Sequence, residues 1–252
     1  MIFMDVKFEN LSSFAGKKVI LDNISGVIKA NTVTLLCGGN GSGKSTLLKL
    51  LAGIKKPDSG TVYYNGCDIK SFSSYTRAGM CACLMQNPEA PGNISVRELA
   101  SLGLYAGGKS ADRNAVENAL KAVNLLDKAE QKSATLSGGE RRRAFLAMTL
   151  VQSRDLILLD EPEAALDAKN KCNLLKILQQ LKKSGRFTVV MAVHDLDFAL
   201  ETADDVIGLN GGKIEFAGKA GEVITDGNLH RLYGVPAKVI FADRKRIVID
   251  YR

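Results

Sequence analysis

The chain has 252 residues, of which 46% are apolar and 24% are charged, the balance of an ordinary globular protein. This length suits one large α/β domain or two small ones, and it is sufficient to bury a core. No apolar run approaches the roughly 20 residues that cross a bilayer, and the first residues lack the basic start of a signal peptide, so we expect a soluble protein that is not exported.

The charge of the chain leaves several kinds of partner open. The formal net charge is +7 at pH 7, which is compatible with nucleic acid, an anionic membrane surface or a solvated face. The basic residues are spread along the chain apart from one run, Arg141-Arg142-Arg143, and no basic segment is interleaved with aromatic residues. We therefore do not expect nucleic acid as a partner.

The five cysteines, at positions 37, 67, 81, 83 and 172, lack the spacing of a zinc site or a disulfide framework. We expect all of them to be reduced thiols. Cys81 and Cys83 form one C-x-C pair in an apolar run, and no second pair or histidine stands near them in the sequence to complete a metal site. Packing is the favoured role for both.

Residues 2–37 are predicted to form short strands in an antiparallel layer. Apolar and charged residues alternate from Met4 to Glu9, and turn signals stand at Ala15-Gly16 and Asp22-Asn23. Phe14 is the aromatic residue of a loop in this region. It is either an apolar surface side chain or a face on which adenine stacks, and the local sequence does not distinguish the two.

A glycine-rich loop follows an apolar run at 32–37 and precedes a periodic, helix-like segment. Its nine residues contain the pattern G-x-x-x-x-G-K-[ST] and are Gly38, Gly39, Asn40, Gly41, Ser42, Gly43, Lys44, Ser45 and Thr46. The glycines let successive N–H groups converge on one anion at the positive end of the following helix. Lys44 would reach the β- and γ-phosphates of a nucleotide, and Ser45 would ligate Mg²⁺. The strand, loop and helix context favours this over a turn with a surface lysine.

A predicted strand from Met80 to Met85 ends at Gln86, and a largely helical segment follows at about 87–153. Gln86 stands where α/β sheets bind ligands, although a lone glutamine is most often a polar cap on a strand end. In the helical segment, Leu136-Ser137-Gly138-Gly139-Glu140 leads into a helix predicted to start near Arg141. These residues offer N–H groups and a hydroxyl to an anion. Taken alone, a simple helix cap is the favoured interpretation.

Four apolar residues at 156–159 predict a buried parallel strand, with Asp160 and Glu161 at its carboxyl end. Asp160 is placed to hold Mg²⁺, and Glu161 to orient or deprotonate a water that attacks the γ-phosphate. A second apolar strand, 189–193, ends at His194. A lone histidine is more often a satisfied core residue, but this one converges on the same sheet edge as the other groups.

In this order, the motifs resemble those of the ATP-binding cassette ATPases over essentially the whole chain. In family terms the segments are Walker A at 38–46, the Q-loop at Gln86, the signature motif at 136–140, Walker B at 156–161, the D-loop at Asp167 and the switch histidine at His194. Phe14 falls where the family places its adenine-stacking aromatic, usually Tyr. The resemblance implies one α/β domain over 1–252: a P-loop NTPase (RecA-like) core with an N-terminal antiparallel β layer and an inserted α-helical subdomain.

The same resemblance implies an ATPase that uses Mg²⁺ and in which two cassettes pack head to tail around ATP. The residues that contact the partner's nucleotide would be Ser137, Gly138, Gly139 and Asp167. The metal ligands would be Ser45, Gln86 and Asp160. The catalytic residues would be Glu161, His194, Gln86 and Lys44.

The departures from the family pattern are mild, so we expect turnover. Gly39 replaces a frequent proline, Asn31 a usual glycine, and Glu163-Ala164 small hydroxylic residues. Glu140 stands where glutamine is commonest. If this acid faces the nucleotide, repulsion from the phosphates would slow closure of the dimer.

The segments 87–106 and 232–236, followed by two short predicted strands at 239–241 and 247–249, resemble the subgroup that serves iron-siderophore, haem and cobalamin importers. The implied partners are a second, identical cassette, transmembrane permease subunits and, indirectly, a substrate-binding protein, at the cytoplasmic face of the membrane. One alternative is an energy-coupling-type importer of vitamins or cobalt. Another is a soluble cassette ATPase of iron–sulfur assembly or nucleic-acid processing; such proteins often carry coiled-coil insertions or a second cassette, and this chain has neither.

Overall fold

A computed structural model describes residues 4–86, 88, 93–106, 113–152, 155–164 and 166–240. The strands are β1 (Val6–Ala15), β2 (Lys18–Ile28), β3 (Val33–Cys37), β4 (Ser59–Tyr64), β5 (Cys67–Asp68), β6 (Cys81–Leu84), β7 (Leu156–Asp160), β8 (Thr188–Ala192), β9 (Asp205–Asn210) and β10 (Lys213–Lys219). The helices are α1 (Lys44–Leu51), α2 (Ser74–Met80), α3 (Val96–Ser101), α4 (Arg113–Ala122), α5 (Gly138–Gln152), α6 (Ala168–Ser184), α7 (Leu196–Leu200), α8 (Ala220–Val223) and α9 (Asp226–Tyr233).

The strands form two sheets. The N-terminal sheet is antiparallel and has the order β2-β1-β4-β5. The central sheet has the order β10-β9-β3-β8-β7-β6, in which all neighbours pair in parallel except β10 with β9. Every residue of β3, β7 and β8 is buried, as in parallel strands that are covered on both faces. The predicted α/β class with an antiparallel N-terminal layer is confirmed.

The central sheet separates two apolar clusters. Along β3, Val33 and Leu35 face one cluster and Leu36 faces the other, because side chains alternate along a strand. The cluster of Leu36 also contains the apolar side chains of α1 and of the N-terminal sheet. Helices α3, α4 and α5 lie between β6 and β7 in the chain and bury their apolar faces in the cluster of Val33, so the predicted helical insertion is confirmed. Among the described residues, no helix is both long enough and apolar enough to span a bilayer.

The predicted turn at Asp22-Asn23 was wrong, because both residues lie within the continuous strand β2. Asn23 adopts a φ of 48°, which asparagine tolerates better than most residues, and its N–H group donates to Ser12 Oγ at 3.0 Å. The pairing of β1 with β2 shifts register beside it. The chain therefore absorbs the turn signal as an irregularity in a long hairpin.

Other boundaries also differ from the predictions. Phe14 lies in β1 rather than in a loop, and Met80 ends α2 instead of opening the next strand. Helix α5 begins at Gly138, three residues before the predicted start, because Ser137 caps it. Residues 239 and 240 form no strand. Other sequence predictions fall outside the described residues, at positions 87, 89–92, 165 and 241–249.

Candidate functional site

The glycine-rich loop joins β3 to α1 at the carboxyl edge of the central sheet. Gly38, Gly41 and Gly43 have φ values of 145°, 76° and 107°, in the region that favours glycine. A Cβ on Gly38 would lie 2.1 Å from the carbonyl oxygen of Leu209, and one on Gly43 would lie 2.5 Å from Cδ2 of Leu21. The curled loop conformation therefore needs glycine at these positions.

Lys44 is the first residue of α1, and its side chain folds back onto the loop. Its Nζ donates to the carbonyl oxygens of Gly38 at 2.6 Å and Gly39 at 3.1 Å. Burial lowers the pKa of Lys44, and the nearby Glu161 carboxylate opposes this effect. The buried Ser42 hydroxyl has no hydrogen-bond partner in the described part of the chain. Ammonium, hydroxyl and loop N–H groups together are the chemistry that binds a phosphate.

A cavity of about 440 Å³ extends from the loop across the sheet edge. The lining residues from the predicted site are Asn40, Gly41, Ser42, Gly43, Lys44, Ser45, Thr46, Gln86, Glu161 and His194. Sequence reasoning missed two further lining residues, Lys18 and Ile20 of β2, because only the pairing of β2 with β1 beside the loop brings them there. Phe14 does not line this cavity; it is 43% exposed near the end of β1, so its stacking on adenine stays a prediction.

The pair Ser45 and Asp160 fits a magnesium ion. Ser45 Oγ donates to Asp160 Oδ1 at 3.0 Å, and Asp160 Oδ2 is buried without a partner in the described structure. Burial raises the pKa of Asp160 because it disfavours the charged carboxylate. A hard divalent cation would satisfy the unpaired oxygen and offset this cost. Gln86, the third predicted metal ligand, donates its amide N–H to Glu161 instead.

Glu161 is held at both carboxylate oxygens. Gln86 Nε2 donates to its Oε2 at 2.7 Å, and His194 Nε2 lies 2.5 Å from its Oε1. The backbone of Glu161 has a φ of 51°, an uncommon value for a residue other than glycine, and its N–H group donates to the carbonyl oxygen of Ala192 at 2.8 Å. Strain of this kind concentrates at functional sites. The structure thus brings together three residues that are more than 30 positions apart in the chain.

Arg142 is a site residue that sequence reasoning missed. Its guanidinium donates to the carbonyl oxygen of Gln86 at 2.9 Å, to that of Asp160 at 2.6 Å and to that of Glu161. Burial lowers its pKa. In the sequence it was visible only as the centre of a basic run, which did not distinguish it from Arg141 and Arg143. It connects helix α5 to the ends of two strands of the central sheet.

Glu163 was also missed as a site residue. It is 3% exposed, and its Oε1 accepts the backbone N–H of His194 at 2.9 Å. Burial raises its pKa, whereas backbone hydrogen bonds oppose the shift. Its other oxygen, Oε2, is buried without a partner in the part of the chain that the structure describes. Glu163 therefore fixes the segment that presents the His194 ring.

The signature segment lies outside this cavity and is exposed at Ser137 and Gly138. Ser137 donates its backbone N–H and its hydroxyl to Glu140 Oε2, each at 2.9 Å, and Glu140 N–H donates back to the hydroxyl at 3.3 Å. This is a capping box. Lys128 forms an ion pair with Glu140. The hydrogen bond from Lys128 and, to a smaller extent, those from Ser137 lower the pKa of Glu140 to about 2. Glu140 thus faces its own helix start and Lys128.

Asp167 caps a helix as well. Its side chain accepts the N–H of Asn170 at 2.8 Å at the start of α6, and it does not line the cavity. Neither Asp167 nor the signature segment completes the phosphate site of this chain. A phosphate loop at the edge of a parallel sheet, a carboxylate pair on a neighbouring strand and an inserted helical segment are the features of an ATP-binding cassette.

Comparisons with known proteins agree. Residues 21–164, more than half of the chain, match the family described as ABC transporter. The probable siderophore transport system ATP-binding protein YusV of Bacillus subtilis (strain 168) is 36% identical over 240 residues, which cover 93% of this chain and 87% of that protein. The ferric enterobactin transport ATP-binding protein FepC of Escherichia coli (strain K12) is 35% identical over 238 residues, covering 92% and 88%. The chain belongs to the ABC transporter family and is an ATPase that binds ATP.

Among solved structures, a nucleotide-free ATP-binding cassette from an ABC transporter superimposes with a TM-score of 0.76. The match covers 91% of this chain and 94% of that one at 23% sequence identity. At this identity the likeness shows the fold alone. It agrees with the P-loop NTPase architecture expected from the motifs.

Proposed function

We propose that this chain is the ATP-hydrolysing motor subunit of an importer for iron–siderophore complexes. Two identical copies would work with permease subunits at the cytoplasmic face of a membrane and, indirectly, with a substrate-binding protein. The Glu161 carboxylate, held between Gln86 and His194 at the edge of the phosphate cavity, is the observation that carries the hydrolytic role. The two relatives, a probable siderophore transport protein and a ferric enterobactin transport protein, support iron–siderophore complexes as the cargo.

In this mechanism Glu161 is the general base that accepts a proton from the attacking water, and His194 and Gln86 position it. Each of its oxygens has one partner and keeps a second lone pair, which the attacking water would use at the cavity wall. When bound, Mg²⁺ would supply charge neutralisation and polarisation of a phosphoryl oxygen, with Ser45 and Asp160 as its holders. Lys44 and the loop N–H groups orient the phosphates.

A second copy of the chain would complete the site. The phosphate cavity is open, and the serine hydroxyl and helix start of the signature segment lie outside it on an exposed surface. A head-to-tail partner would place its Ser137, Gly138 and Gly139 against the γ-phosphate, with Asp167 nearby. ATP would then link the copies, and hydrolysis would separate them.

The permease would dock at a groove of about 550 Å³ where α2 and the start of β6 meet the end of α1. Ile54, which lines it, is 61% exposed, and Tyr75, next to the lining residue Ser74, is 63% exposed. Such a concentration of exposed large apolar groups is typical of a protein interface. Strand β6 leads from this groove directly to Gln86. Docking would thus act through β6 on Gln86, the residue that hydrogen-bonds to Glu161.

Glu161→Gln tests the hydrolytic role. We expect ATP binding to persist, hydrolysis to fall by at least about 100-fold through loss of the base, and an ATP-bound dimer to accumulate. Glu201→Gln, at an exposed position, is the matched control and should keep wild-type turnover. Normal hydrolysis by Glu161→Gln would remove Glu161 from this role. Unchanged ATP binding by Lys44→Ala would contradict the phosphate site.

The transport role is tested separately, by reconstituting the chain in vesicles with a candidate permease from the same genome. We expect ferric siderophore with its binding protein to stimulate ATP hydrolysis more than haem or cobalamin does. Stimulation by haem or cobalamin alone would contradict iron–siderophore complexes as the cargo, but it would still support the role as a motor subunit. A chain that binds no membrane protein would instead support the soluble alternative.

A further inference from the structure

Two thiols face the same groove from β6. Cys81 and Cys83 project from one face of the strand, and their Sγ atoms lie 3.5 Å apart. Cys81 is 5% exposed and Cys83 is half-buried, and both line the groove of about 550 Å³. The pairing of β6 with β7, Cys81 opposite Leu156 and Cys83 opposite Leu158, fixes their spacing. A small ion can therefore reach both sulfurs from solvent.

The pair is poorly arranged to form a disulfide. Residues two apart in a strand have Cα atoms about 6.6 to 6.8 Å apart, at the upper limit for a disulfide, so closing the bond would pucker a strand that is paired with β7. An ion that bridges the sulfurs demands no such approach.

The number of ligands selects the kind of ion. No group of three or more His, Cys, Asp or Glu side chains suited to a metal occurs in the described structure. Zinc and iron–sulfur centres use four ligands as a rule, whereas monovalent copper, a soft ion, accepts as few as two thiolates. We propose that Cys81 and Cys83 together bind one soft metal ion of the Cu(I) class. One Cu⁺ displaces two thiol protons, forms two copper–sulfur bonds and leaves a site with one negative charge.

Two cationic side chains, Arg77 and Lys56, line the groove that the thiols face. The Arg77 guanidinium donates to the Phe72 carbonyl at 2.6 Å and to the Ser74 hydroxyl at 3.1 Å, both neutral acceptors, so its positive charge remains available to the site. A cation in this groove would stabilise the bound bis-thiolate more than the free thiols, which are neutral.

Competition with a chromophoric Cu(I) chelator under anaerobic, reducing conditions tests the proposal. The full chain would carry Cys67→Ser and Cys172→Ser to remove the two exposed thiols. We expect one Cu(I) per chain to be withdrawn from the chelator. Cys81→Ala and Cys83→Ala should each weaken binding by at least about 100-fold, because each removes one of two ligands. Cys37→Ala, which removes a buried thiol on another strand, is the matched control and should keep the affinity.

X-ray absorption on the copper-loaded background protein provides a readout that needs no variant at the pair. Two sulfur neighbours at the metal support the site. Nitrogen or oxygen neighbours, three sulfurs, or undiminished affinity in Cys81→Ala and Cys83→Ala would overturn it, as would failure of the background protein to compete. The measurement uses the isolated chain without nucleotide, so its outcome is independent of the importer role.

Discussion

Glu140→Gln separates two roles of the acid in the signature segment. The carboxylate accepts two hydrogen bonds from Ser137, including the hydroxyl that a partner's γ-phosphate would need. In the proposed dimer, closure brings that phosphate towards Glu140. The substitution keeps an acceptor oxygen for the helix cap and removes the negative charge. We expect ATP-driven dimerisation to become tighter.

The size of the effect follows from the geometry. The Ser137 hydroxyl lies 2.9 Å from Glu140 Oε2. A phosphate oxygen that shares the hydroxyl would lie about 3 Å beyond it, which places the two charges about 6 Å apart. Their repulsion is about 0.7 kcal/mol in water and about 3 kcal/mol at an effective dielectric constant of about 20. Lys128 cancels part of it, so we expect about 1 kcal/mol per site, and for two sites about a 30-fold lower dimer dissociation constant.

Sedimentation of Glu161→Gln with ATP, with and without Glu140→Gln, measures this constant. Glu130→Gln is the matched control, because Glu130 pairs with Arg97 on an exposed surface and its side chain is 77% exposed. Lys128→Ala should weaken the dimer, since it leaves the Glu140 charge unbalanced. A dimer that is unchanged or weaker in Glu140→Gln would refute the repulsion argument.

The same substitution, Glu140→Gln, should lower the free energy of unfolding, although it strengthens the dimer. The pKa of Glu140 is about 2 in the fold, below its ordinary value of 4.5, so its charge stabilises the fold above the ordinary carboxyl range and this contribution is lost as the pH falls towards 2. Because Lys128 is 38% exposed, solvent screening limits the contribution to about 1 kcal/mol. Denaturant unfolding should show Glu140→Gln less stable at pH 7, by an amount that shrinks with decreasing pH. A constant difference at all pH values would contradict this account.

Two further predictions concern the loop and the buried carboxylate. Gly43→Ala should lose ATP binding, measured by calorimetry, and should lower the free energy of unfolding by more than about 1 kcal/mol, because its Cβ would clash with Leu21 and its φ is positive. Gly39→Ala is the control and should bind ATP, because there is open space at its Cβ. Glu163→Gln keeps an acceptor for the His194 N–H. Because burial raises the pKa of Glu163, the free energy of unfolding of the wild type should fall relative to that of this variant as the pH rises above the ordinary carboxyl range. Parallel pH profiles of the two proteins would refute this.

The sequence was informative where a function needs a fixed local conformation. The phosphate loop was predictable because its positive φ angles restrict Gly38 and Gly43 to glycine and its neighbours show strand and helix periodicity. The strand that ends at Asp160 was predictable because a strand buried on both faces is a short continuous apolar run. In both cases the physical requirement acts on consecutive residues.

Other features depend on packing between distant segments. Nothing near Lys18 in the sequence indicates that the long β1–β2 hairpin places it over the phosphate loop. The turn signal at Asn23 was misleading because pairing with β1 holds the strand together through a residue with positive φ. Likewise, Glu163 gains its role from the N–H of His194, 31 residues later, which only the sheet brings near.

Arg142 shows why these packing interactions matter for function. It stands two positions after Glu140 on α5, the helix whose start would contact the partner's phosphate in the proposed dimer. Its guanidinium donates to the backbone carbonyl oxygens of Gln86 and Glu161. The side chains of these two residues are hydrogen-bonded to each other. A displacement of α5 by the partner's nucleotide would therefore be transmitted to the Glu161 backbone, which is strained at a φ of 51°. Each catalytic site would then respond to the phosphate that its own chain binds and, through α5, to the phosphate held by its partner.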